Sequence, residues 1–221
     1  MPDFAALRRA MVDSQVRTSD VTDHRLLEAM YDVPRERFMP EAKKALAYLD
    51  LDVPVSAAGR PVRRLLKPMV LAKLIQAAEI SEADHVLDIG CASGYSAALL
   101  GRLAKTVVAL EEDPDLAANA KTALASLGAA NVTIAAGALS AGWPQGGPYD
   151  VIVLEGATEM PPEGLRPQLK EGGRLVCVLG RGPAGKATIY RSQDGELSGR
   201  MIFDAAAQVL PGFARKPEFV F

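Results

Sequence analysis

Val86–Tyr95 reads VLDIGCASGY, a stretch that joins a buried-strand pattern to an acidic residue and two glycines at a turn. Val86, Leu87 and Ile89 supply the apolar run of a central parallel strand, and Gly90 and Gly94 let the backbone bend closely around a ligand. Tyr95–Leu103 continues with the period of an amphipathic helix. A nucleoside held by such a turn lies across a strand end and a helix start. The next strand is read at Thr106–Glu112 (TVVALEE), where Glu111, followed by Glu112, falls about 20 residues after Gly90 and can accept both ribose hydroxyls.

The cofactor can be narrowed from the same residues. A dinucleotide turn needs Gly-x-Gly-x-x-Gly so that pyrophosphate can approach the helix N-terminus, but Ala92 and Tyr95 stand at its third and sixth positions. Asp88, two residues before Gly90, sits badly beside a diphosphate and suits a cationic amino group and sulfonium. These residues point to S-adenosyl-L-methionine, held through Asp88, Gly90, Cys91, Ala92, Gly94 and Glu111. The competing reading is a glycine turn that merely joins strand to helix in another doubly wound protein, and the Glu111 spacing weighs against it.

At 221 residues the chain can bury one real core with a small appended cap. Its net charge of −2 is spread rather than blocked, so no electrostatic footprint for nucleic acid is visible. The N-terminus lacks the apolar core of a signal peptide and no run approaches a membrane span, so a cytoplasmic protein without membrane contact is expected. The two cysteines, Cys91 and Cys177, fit a reducing compartment and neither a disulfide framework nor a metal site. Cys91 could be a nucleophile, but a small residue fitting under the cofactor is the reading taken.

Residues 3–50 read as helical and capped, with Thr22 or Asp23 before Leu26, Leu27, Met30 and Tyr31, and with breaks at Pro34 and Pro40. Residues 50–68 form a proline-rich, irregular strip that precedes a helix at 69–79. Strands are then expected at 85–89, 106–111, 131–135, 150–154 and 173–179, alternating with helices at 95–103, 114–127 and 162–170. This is an α/β, doubly wound, mostly parallel sheet with helices on both faces and an N-terminal helical cap. Residues 1–80 make the cap and substrate strip, and 81–221 the cofactor-binding core, as one compact unit. Two late strands surround Asp194-Gly195, and 214–221 suggests a further edge strand.

By these residues the chain resembles the protein-L-isoaspartate O-methyltransferase family over nearly its whole length. Val33, Pro34, Arg35 and Phe38 fall in that family's Val-Pro-Arg-x-x-Phe pattern. Pro68 followed by Met69–Leu74 resembles the passage from substrate loop to helix, VLDIGCASGY is similar to the cofactor turn, and LKEGGRLVCVLG (Leu169–Gly180) is similar to the late strand. The resemblance implies a class I S-adenosylmethionine-dependent methyltransferase. Its acceptor would be the free carboxylate of isoaspartyl residues in proteins or peptides, leaving S-adenosyl-L-homocysteine and a methyl ester.

Three departures stand out. The family's substrate loop has Ile-Ser-Gln before the proline, with the serine hydroxyl at the methyl-transfer site; here Leu65, Leu66 and Lys67 are aligned, and Leu66 makes no hydrogen bond through its side chain. The family's Gly-Asp-Gly after the third strand, with its aspartate near the adenine amino group, is replaced by Gly137, Ala138 and Leu139. After the fourth strand, Glu155 stands where the family has small residues.

An isoaspartyl carboxylate, with a pKa of about 4, arrives ionised at neutral pH, so an in-line methyl transfer needs aiming rather than a base. The scarcity of histidine fits, and His24 and His85 are read as structural or exposed. Glu155 is either a site residue, holding the amino group or acting as a base, or a solvated loop carboxylate. Arg60, Arg63, Arg64 and Lys67 form a positive cluster that is either a solvated face or an attractor for an anionic acceptor, with Arg64, Lys67 and Pro68 placed at the substrate by resemblance. Two other functions stay open: a methyltransferase for another acceptor that uses Glu155, and a cofactor-binding module without turnover. Oligomeric state is not readable.

Overall fold

The computed structural model describes residues 2–215. Its strands are β1 (Val53–Pro54), β2 (Arg64–Leu65), β3 (His85–Ile89), β4 (Thr106–Glu111), β5 (Val132–Ala136), β6 (Tyr149–Thr158), β7 (Leu169–Leu179), β8 (Lys186–Gln193) and β9 (Glu196–Asp204). The α-helices are α1 (Phe4–Met11), α2 (His24–Asp32), α3 (Pro68–Ala77), α4 (Tyr95–Leu103) and α5 (Pro114–Ser126). Seven strands form one sheet in the order β5-β4-β3-β6-β7-β8-β9, parallel from β5 to β7 and antiparallel beyond. The chain runs outward from β3 to β5 and returns to β6 on the other side of β3. The sheet therefore has its topological switch point at the carboxyl end of β3, where doubly wound proteins bind ligands.

Local chemistry explains most boundaries. The Asp23 carboxylate accepts from the Arg25 and Leu26 amides to start α2, and Asp113 does the same for Asp115 and Leu116 at α5. Pro68 begins α3 at a position where no backbone donor is missed. Pro34 and Pro40 each precede a short 3-10 turn, so the expected helical entry is broken into pieces. At the hairpin, Asp194 and Gly195 both take positive φ, the geometry that lets a two-residue turn follow the twist of β8 and β9.

Successive β3 residues serve opposite faces. Val86 joins a core built from α1 to α5, whereas Leu87 and Ile89 join a second core containing no α-helical residue. That second face is covered by the 3-10 turns Leu139–Ala141, Pro144–Gly146 and Glu163–Gln168 and by a segment carrying Leu210 and Phe213. The helix expected at 162–170 is one of these turns. Pro167 lies inside it and Pro162 caps it, which prevents a continuous i to i+4 ladder. The edge strand expected at 214–221 lies outside the described residues from 216 onward, and Ala214 and Arg215 are not in a strand. No helix among the described residues is long and apolar enough to cross a membrane.

Strand β6 carries a bulge that matters for the site. Val153 pairs with Val176 and Ala157 with Val178, so Leu154, Glu155 and Gly156 stand opposite Cys177 alone. Ala157 also exchanges backbone hydrogen bonds with the 205–213 segment, donating to the Gln208 carbonyl at 2.8 Å and accepting from the Leu210 amide at 2.9 Å. A Cβ on Gly156 would meet Leu210 at 2.7 Å and the Gln208 carbonyl at 2.8 Å. Because a backbone carbonyl cannot rotate away, Gly156→Ala should lower stability by about 1–3 kcal/mol, read as a reduced urea midpoint at unchanged m.

Candidate active site

Three carboxyl groups converge at the carboxyl ends of β3, β4 and β6. Asp88 and Glu111 have no exposed surface, and Glu155 is 6% exposed. Asp88 lies on the helical face of β3, and its Oδ2 accepts from the Ser96 hydroxyl of α4 at 2.8 Å. Glu155 is buried one step past the Ile89–Leu154 pair, where the bulge turns the chain. Glu111 ends β4 and accepts the Ala92 amide at 2.8 Å and the Glu112 and Asp113 amides at 3.1 Å each. Backbone donors thus fix and neutralise it in part.

The remaining donors to Glu111 come from Arg63. This residue follows the strap between β1 and β2, where its carbonyl accepts from the Val55 amide at 2.8 Å and its amide donates to Ser56 Oγ at 2.9 Å. The side chain turns inward, donating from Nε and Nη2 to Glu111 at 3.3 and 3.0 Å and from Nη2 to the Gly90 carbonyl at 3.0 Å. A Cβ on Gly90 would meet Arg63 Nη2 at 2.7 Å, then Leu210 and Leu139 at 3.2 and 3.6 Å.

Arg35 is the second buried cation. Its Nε donates to the Ala47 carbonyl at 2.9 Å, its Nη2 to the Leu66 carbonyl at 2.7 Å, and its guanidinium lies 4.6 Å from the Tyr95 ring centroid. Among the described residues, Arg35 Nη1, Tyr95 Oη, Asp88 Oδ1 and Glu155 Oε1 are buried without a partner. Such groups are costly unless something polar meets them.

Burial shifts the acids here. Asp88 is pushed up to about 7, chiefly by desolvation, against the pull of the Ser96 hydroxyl. Glu155 is raised by burial and next by Asp88, while Arg35 and Arg63 oppose the rise. Burial and then the Asp88 charge hold the Cys91 thiol well above its ordinary range, which leaves no thiolate for a nucleophile.

The residues expected at the cofactor divide accordingly. Asp88, Gly90, Cys91, Ala92, Glu111 and Leu139 surround the turn, with Ala92 at a φ of 49° and Gly90 at 82°. Gly94 does not open the pocket. It has φ 95°, and a Cβ there would press on Ala120 of α5 at 3.0 Å, so its smallness serves helix packing. The side chains of Glu112 and Ala138 are exposed, and Trp143 packs against Gly137 beside Ala138.

The basic strip is not one patch. Arg60 pairs with exposed Asp115 at 2.9 Å, Arg63 is buried, and Arg64 reaches the Asp52 carbonyl at 3.4 Å. The backbone amide of Lys67 donates to Asp52 Oδ1 at 2.8 Å, and Leu66 and Pro68 are buried. His85 is structural: it stacks on Tyr149, its Nε2 faces the Gly146 carbonyl at 2.8 Å and its Nδ1 faces the Thr106 hydroxyl at 2.7 Å. The inward turn of Arg63 and the Gln208–Leu210 segment had no sequence signal beyond position, and Arg35 was marked by the Val-Pro-Arg-x-x-Phe pattern without its burial or its partners.

The donor set suits an adenosyl sulfonium with an amino group. Asp88 and Glu155 each offer a free buried oxygen for a cation, and Glu111 is already aimed by three backbone amides. The contact closest to Gly90 is the tip of a long, flexible side chain.

The model of the family described as "Protein-L-isoaspartate(D-aspartate) O-methyltransferase (PCMT)" matches residues 6–206. Protein-L-isoaspartate O-methyltransferase 1 of Rhodopseudomonas palustris (strain HaA2) is 41% identical over 177 residues, covering 80% of this chain and 71% of that protein. Protein-L-isoaspartate O-methyltransferase of Koribacter versatilis is 36% identical over 201 residues, covering 91% and 89%. A solved protein-L-isoaspartate O-methyltransferase superposes with TM-score 0.82 at 25% identity, covering 93% of this chain and 66% of that one. A Plasmodium falciparum structure titled as a putative member, in complex with S-adenosyl-L-homocysteine, has the same fold at TM-score 0.76 and 18% identity, covering 95% and 99%.

Because the folded pKa of Asp88 lies above its unfolded value, the native state holds more protons between about 4 and about 7, and stability falls as pH rises through that window. Asp88→Asn removes this dependence. Urea titrations across the window should show wild type losing stability relative to the variant as pH rises, with a constant difference above it.

Proposed function

The chain belongs to the protein-L-isoaspartate(D-aspartate) O-methyltransferase family, and we propose on that basis that it methylates the free carboxylate of isoaspartyl residues in proteins or peptides, with S-adenosyl-L-methionine as donor and S-adenosyl-L-homocysteine as product. The observation that carries this is the pair of free, buried carboxyl oxygens on Asp88 and Glu155 at the switch point of a chain matched from 6 to 206.

Asp88 and Glu155 would hold the amino and sulfonium charges, Glu111 the ribose, and Leu139 and Trp143 the adenine end, with Ala138 offering no polar contact there. When bound, S-adenosyl-L-methionine supplies an electrophilic methyl group. The chain's own residues aim the acceptor. An isoaspartyl carboxylate is ionised at neutral pH and needs no base. Leu66 cannot orient it, but Arg35 is anchored on the Leu66 carbonyl and keeps Nη1 free. Its fork suits a carboxylate.

Arg64 in β2 and Lys67 just before α3 remain the candidates for the peptide flanking the acceptor. A cleft of about 820 Å³ lies between the strap, the Phe38–Pro40 turn and α5, with Ser93 on its wall. It supports a substrate of peptide size. Residues 1–80 are read as the part that shapes this approach, and 81–221 as the part that carries the cofactor turn.

Labelled methyl groups should enter an isoaspartyl peptide as a base-labile ester and not its aspartyl counterpart; equal labelling of both, or of neither, would refute the acceptor. Since a cation favours ionised Asp88, affinity for S-adenosyl-L-methionine should rise as pH increases through about 7, and Asp88→Asn should weaken binding and flatten the profile in calorimetry.

A further inference from the structure

Glu111 is wholly buried, and Arg63 is not its only support. Three backbone amides hold the carboxylate, two on Oε1 and one on Oε2. Arg63 adds one donor to each oxygen, as two ribose hydroxyls would. The guanidinium also takes the Gly90 carbonyl, and its Nη2 fills the space where a Cβ on Gly90 would stand, at 2.7 Å. An acidic acceptor and a glycine surface are what a nucleoside needs at such a turn, and Arg63 occupies both.

Two bodies cannot share those lone pairs and that space. We infer that Arg63 is a resident competitor for the ribose subsite, holding Glu111 while no nucleoside is bound and withdrawing to admit one, so that this side chain sets the affinity for adenosyl ligands. The inference rests on the cofactor reading above.

Its route out is short. The Arg63 backbone is anchored to Val55 and Ser56, so the side chain swings about its own bonds. The strap on which it rides is exposed at Arg60, Pro61 and Val62 and offers the guanidinium water in place of Glu111. Breaking a buried ion pair by releasing one partner to solvent lowers the apparent affinity of whatever replaces it by the fraction of open state. Glu111 stays aimed throughout, because its amide donors remain.

The test compares wild type, Arg63→Ala and Arg63→Gln for binding of S-adenosyl-L-methionine, S-adenosyl-L-homocysteine and 5′-methylthioadenosine. Calorimetry gives Kd, and the emission of Trp143, the single tryptophan of the chain, reports on the Gly137 end of the site. All three ligands share the ribose, so each should bind at least about tenfold more tightly to Arg63→Ala, with Arg63→Gln between. Equal Kd for wild type and both variants would overturn the competition while leaving the cofactor reading intact. A gain confined to S-adenosyl-L-methionine would also overturn it, because removal of a positive charge near a sulfonium would then be the cause. No binding to any form would overturn both this inference and the cofactor reading.

Discussion

Glu111 has no exposed surface, and the arrangement of the switch point follows from how its charge is met. A carboxylate taken from water needs donors on both oxygens. The chain supplies them from the Ala92 amide on one side and the Glu112 and Asp113 amides on the other, which ties the β3 turn to the start of α5. Ala92 takes its positive φ at the point where the turn presents its N–H to the Glu111 carboxylate.

Asp88 and Glu155 are handled differently. Neither is bonded to a cation, each keeps a free oxygen, and a neighbouring carboxylate raises the proton affinity of each, Asp88 acting on Glu155 and Glu111 on Asp88. Desolvation is the larger influence on both. The three acids therefore form two kinds of group: Glu111 is fully supplied with donors, while Asp88 and Glu155 are left wanting positive charge. Arg35 stands near but bonds to backbone carbonyls and lies over the Tyr95 ring, so its charge is felt at Glu155 without being spent there.

Much of this was legible in the sequence. The buried run before Gly90 located β3, and the spacing to Glu111 identified the second acid, because a strand, helix and strand of ordinary length bring those positions together. Asp194-Gly195 marked its hairpin through the demand for positive φ. Other features depended on contacts between distant segments. Whether Arg63 faces water or Glu111 depends on the β1–β2 pairing, and nothing in the run of basic residues around it distinguishes it. Gly94 looked like a ligand-facing glycine, but its neighbour is Ala120 on a helix that starts later in the chain. The stretch 162–170 has helical composition broken by prolines, and the prolines decided the outcome.

The covering of the sheet is unequal, with every α-helix among the described residues on one side and short turns plus the 205–213 segment on the other. The thin side comprises the Leu139–Gly146 turns and the Gln208–Phe213 segment, and these border Gly90, Gly137 and Glu155. The ligand-facing wall is thus built from short turns and a segment tied through the Ala157 and Glu159 backbone, while the helical half backs the other face of the strands.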